Sequence, residues 1–128
     1  MTAVALVLAA LAALLHVWIF VLESVLWTTP RARTTFGTTE QEAVATRQLA
    51  YNQGLYNLFL AVLVLVGIVV TASGGTAVGL TLVIAGTASM LGAALVLFTS
   101  DATKRRAATT QGALPLLALL VLGIAALV

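Results

Sequence analysis

"LAYNQGLYNLFLAVLVLVGIVV", residues 49–70, is the stretch on which the architecture turns. Residues 58–70 carry no polar side chain, whereas Tyr51, Asn52, Gln53, Tyr56 and Asn57 crowd into the seven residues before them. A helix of about 20 mostly apolar residues crosses a hydrocarbon core of roughly 30 Å. The segment therefore reads as a membrane helix with a polar mouth, and that mouth needs an explanation.

Composition places the whole chain in the same class. Of its 128 residues 62% are hydrophobic and 8% charged, against about 45–50% apolar and about 25% charged in an ordinary soluble domain. Four runs are long enough to span: residues 3–27, 43–71, 75–98 and 107–128. The fold class predicted is all-α, an integral membrane four-helix bundle forming a single transmembrane domain over 1–128. The first run has no Lys or Arg ahead of it and outruns a signal-peptide core, so it is read as a retained span. No polar stretch is long enough to bury a core of its own.

The cations support the same count. Arg31, Arg33, Arg47, Lys104, Arg105 and Arg106 all lie in or beside the first and third links, which share one side in a four-span topology. The positive-inside rule puts those links in the cytoplasm and both termini outside. Thr39 with Glu42 three residues on reads as a capping box opening span two. Span three carries Gly75, Gly79, Gly86, Ser89 and Ala93, small residues that let helices approach closely in lipid, within the chain or in a homo-oligomer. Pro115 sits in the first turns of span four.

Span one brings two ionisable groups, His16 and Glu23. At 100° per residue they fall on one stripe with Phe20 and Trp27, and an ionisable residue within a span is by default turned to the bundle interior. Span two offers Gln48, Asn52 and Tyr56 at i, i+4 and i+8, with Gln53 and Asn57 on the adjacent face. Span four adds Gln111. Because hydrocarbon supplies no hydrogen-bond partners, the economical arrangement is one polar chamber in the cytoplasmic half, walled by Phe20, Trp27, Tyr51 and Phe59.

Such a chamber is suited to a small lipophilic ligand beside membrane lipid. The catalytic candidates are His16, Glu23 and Tyr56. The binding candidates are Phe20, Trp27, Gln48, Tyr51, Asn52, Gln53, Asn57 and Gln111. With no cysteine and one histidine, a protein-only metal centre is not expected. No cofactor is predicted, although His16 could ligate one haem axial position, and nothing points to nucleic acid. The alternatives are a small proton-coupled exporter and a structural membrane subunit whose polar residues set helix register.

The segments "HVWIFVLESVLW" (16–27), "FG" (36–37), "NQGLYNLFLA" (52–61) and "QGALPLLALL" (111–120) together resemble a family of small bacterial integral membrane proteins, domain of unknown function 1304. The resemblance implies a four-span protein of the bacterial inner membrane and no particular activity. Leu58 stands where that pattern usually has Gly. A looser similarity links the chain to four-span enzymes such as styrene oxide isomerase, which carry polar His or Asn residues early in span two.

Overall fold

The computed structural model describes residues 1–127, which among themselves form helices and no strand. Helix α1, Thr2–Phe20, continues into a π-helical turn over Val21–Val25. Two short helices follow, α2 (Pro30–Phe36) and α3 (Glu40–Ala45). Three long ones complete the chain: α4 (Arg47–Ala72), α5 (Thr76–Ser100) and, after a 3-10 turn at Ala102–Lys104, α6 (Arg105–Leu127). Four helices are long and apolar enough to cross a membrane. They form a ring in which α1 packs on α4 and α6, and α5 packs on the same two.

The chain breaks where local chemistry dictates. Thr29 accepts a hydrogen bond from the Ala32 amide, Pro30 takes the first helical position of α2, and Gly37 ends it in the left-handed region at φ 65°. Only Gly adopts that conformation at no steric cost. The capping box at Thr39 and Glu42 is formed, but it opens α3 and not the span itself, because the helix is interrupted at Thr46 before α4 begins. The α4 to α5 turn needs Gly74 at φ 95°.

The interior is built from small side chains. Ala5, Ala9, Ala12, Ala13, Ala61, Val64, Val83, Met90 and Ala118 are fully buried, while large apolar residues such as Val7, Leu11, Val69, Val96 and Leu120 face outward. That inversion suits lipid, where no hydrophobic drive gathers helices and close backbone contact must hold them. A Cβ on Gly67 would stand 2.7 Å from the Gly79 carbonyl oxygen, and one on Gly79 would stand 2.6 Å from that of Gly67. The small residues Gly79 and Gly86 of span three are thus used within the chain, against α4, while Ser89 and Ala93 face outward. Pro115 is buried well inside α6, where it has no N–H for the Gln111 carbonyl.

Candidate functional site

Glu23 sits in the π turn that closes the first span, where Leu26 N–H reaches back five residues to the Val21 carbonyl at 2.9 Å. Such turns widen the backbone and recur at functional positions. Across the interface the Asn57 amide donates from Nδ2 to Oε2 of Glu23 at 2.9 Å and also contacts its own helix at the Gln53 carbonyl, 3.1 Å away. Beside this pair Ser24 Oγ donates to the Tyr51 carbonyl at 2.9 Å. Gly54 makes the approach possible, since a Cβ there would collide with Ser24 Oγ. One turn on, Trp27 Nε1 donates to Thr46 Oγ1 at 3.2 Å.

These contacts border an open cleft of about 640 Å³ between the end of span one and the start of α4. Glu23, Ser24, Trp27, Arg47, Gln48 and Tyr51 line it. Four of the sequence-predicted residues, Glu23, Trp27, Gln48 and Tyr51, therefore meet in one place, and Asn57 joins them through Glu23.

The others do not gather there. Asn52, Gln53 and Tyr56 lie on the exposed face of α4, with Tyr56 edge-on to Phe59 at a centroid distance of 6.5 Å. His16 is buried at 1% exposure, its Nδ1 2.9 Å from the Ala12 carbonyl of its own helix. Phe20 is half-buried and is not among the residues lining the cleft. Gln111 lines a different cleft, together with Trp18.

Helix phase explains the difference. The sequence reading turned Gln48, Asn52 and Tyr56 toward span one, whereas the face that packs is Ala50, Gly54, Asn57, Ala61 and Val64. In lipid the side with the smallest residues comes closest to its neighbour, so Gly54 sets the rotation of α4, which buries Ala61 as well. In span one the π turn disrupts the 100° step between His16 and Trp27, and Trp27 falls beyond the helix altogether. Ser24 was not anticipated. Gly54 was the available signal for Ser24, because a glycine in a span marks the point of closest approach.

The charged groups concentrate at this end of the bundle. Arg33 and Glu40 pair at 3.3 Å. The Thr39 backbone N–H, followed by its hydroxyl, holds the Glu42 carboxyl below the usual glutamate range. The Thr103 hydroxyl and then its N–H do the same for Asp101.

A family model described as protein of unknown function (DUF1304) matches residues 10–123. Neither the search of curated proteins nor that of solved structures yields a match.

Proposed function

The chain belongs to the DUF1304 family, and from that premise we propose that its Glu23 cleft binds or transforms a small lipophilic molecule by acid–base exchange at the carboxyl group. The observation that carries this reading is the Glu23–Asn57 hydrogen bond of 2.9 Å at the wall of an open cleft. Asn57 engages Oε2, which leaves Oε1 for a ligand. An ionised carboxylate would accept from a ligand hydroxyl or amine, and a protonated one would donate to a ligand oxygen. Trp27 and Tyr51 offer aromatic surface, while Gln48 and Arg47 orient the polar end.

In this reading Tyr51 and Gln48 take the places first given to Tyr56 and Asn52. His16 stands seven residues back, about 10 Å along the helix, and supports the site through the α1 core. The basic end of the bundle faces the cytoplasm of a bacterial cell, following the positive-inside rule.

The test is purification in mild detergent followed by mass spectrometry of what is retained. A small molecule held by the wild type and reduced at least tenfold in Glu23→Gln supports the reading. Equal retention by both proteins, or nothing retained by either, overturns it.

A further inference from the structure

The second cleft, on the opposite flank of span one, has a different character. It encloses about 800 Å³ where the end of α1, the end of α2 and the start of α6 converge. Trp18, Phe36, Lys104, Arg106 and Gln111 shape its polar half, and no carboxylate lines it. The Arg31 guanidinium adds a third positive charge at the rim, 4.8 Å from the centroid of the Trp18 ring. Its deeper wall is Leu15, Ile19 and Leu22.

From these observations we propose that the cleft binds the phosphate headgroup of an anionic phospholipid, with one acyl chain lying along the faces of α1 and α6. The cations are placed for it. Lys104 spends one proton on the Phe36 carbonyl and keeps two donors. Glu42, which is exposed, and Asp101, which is half-buried, both feel its charge and stand outside the cleft lining. Arg106 makes no ion pair among the described residues. Thr34, Thr35 and Thr110 donate their hydroxyl protons to carbonyls of their own helices and Thr103 donates to the Asp101 carboxylate, so the side-chain donors for an anion are the three cations, the Gln111 amide and the Trp18 indole N–H.

The helix faces below the cleft suit the rest of a lipid. The stripe continuing from Trp18 along α1 is Leu11, Val7 and Val4, and on α6 the stripe from Thr110 includes Leu117 and Ile124, all exposed and apolar. Trp18 to Val7 spans about 16 Å at 1.5 Å per residue, close to one leaflet of a core roughly 30 Å thick. A cationic pocket above bare aliphatic helix faces, at the charged end of the bundle, matches headgroup and tail together. A free inorganic anion would use only the upper half.

The experiment uses the full chain in nanodiscs holding equal phosphatidylglycerol and phosphatidylcholine, with native mass spectrometry reading the lipid retained on release. The wild type is expected to keep phosphatidylglycerol at least fivefold over phosphatidylcholine, even in excess inorganic phosphate. Arg106→Gln, at a side chain that makes no hydrogen bond or ion pair among the described residues, should reduce that preference at least threefold, and Lys104→Gln with Arg106→Gln should abolish it. Arg105→Gln makes the same charge change beside Phe98, outside the cleft, and should preserve it. Equal loss in Arg105→Gln, no preference in the wild type, or displacement by inorganic phosphate would each overturn the assignment.

Discussion

Asn57 of α4 holds Glu23 of the π turn by a hydrogen bond of 2.9 Å, a side-chain to side-chain link between the first two spans that stands beside the Ser24 hydroxyl's bond to the Tyr51 carbonyl. The donor has few alternatives in lipid, and the acceptor lies where the first helix loosens. Interhelical hydrogen bonds in membranes average about 0.6 kcal/mol and reach about 1.7. A double-mutant cycle on Glu23→Gln and Asn57→Leu, followed by reversible unfolding in mixed micelles, should give a coupling of about 1 kcal/mol. The same cycle on Glu23 and Asn52 should give a coupling near zero, because Asn52 faces away.

The contact of α4 with α5 predicts a sharp contrast among glycines. Gly79→Ala forces a methyl group against the Gly67 carbonyl, whereas Gly92→Ala meets nothing within 4 Å. Overpacking of this kind costs about 1–3 kcal/mol. Thermal unfolding in detergent should show Gly79→Ala strongly destabilised and Gly92→Ala unchanged or slightly stabilised, since Ala is the better helix former.

His16 predicts a structural effect separable from the cleft. Its ring is fully enclosed beside Ala12 and Ala13, so His16→Ala leaves a cavity that costs about 2–4 kcal/mol, by analogy with other large-to-small changes in a core. Retention of whatever the Glu23 cleft holds, measured below the unfolding temperature, should change less than threefold. Loss as complete as in Glu23→Gln would instead place His16 in the site.

Glu42 should make the cap of α3 sensitive to acid. Its carboxyl is held below the usual glutamate range by the Thr39 N–H, so folding favours the ionised form. That contribution is present above the ordinary carboxylate range and fades as pH falls through the lowered folded value. Amide protection factors across residues 42–46 should drop on acidification through that window. In Glu42→Gln they should be lower at neutral pH and flat across it.

Orientation can be read without removing any native thiol, because the chain has no cysteine. Single cysteines at Gln41 and Ser73, both exposed, lie at opposite ends of the bundle. A membrane-impermeant maleimide applied to intact cells should label Ser73→Cys, and Gln41→Cys only after lysis. The reverse pattern would invert the proposed topology.

The four-span bundle was legible in the sequence because hydrocarbon imposes a length and a composition that apolar runs either satisfy or fail. The polar mouth of α4, the formed capping box and the concentration of charge at one end were legible for related reasons of local chemistry. The partner of Glu23 was not. Asn52 and Asn57 are the same residue type on the same helix, and choosing between them requires the rotation of α4, which Gly54 sets by its close contact with Glu23 and Ser24 and which buries Ala61 as well. The π turn at Val21–Val25 shifts the phase again, and no periodicity in the residues announces it. Sequence alone therefore determined which segments enter the membrane and which end carries charge. Tertiary structure decided which polar groups meet, because backbone approach between small residues, and not the polarity of a face, governs how helices turn toward one another in lipid.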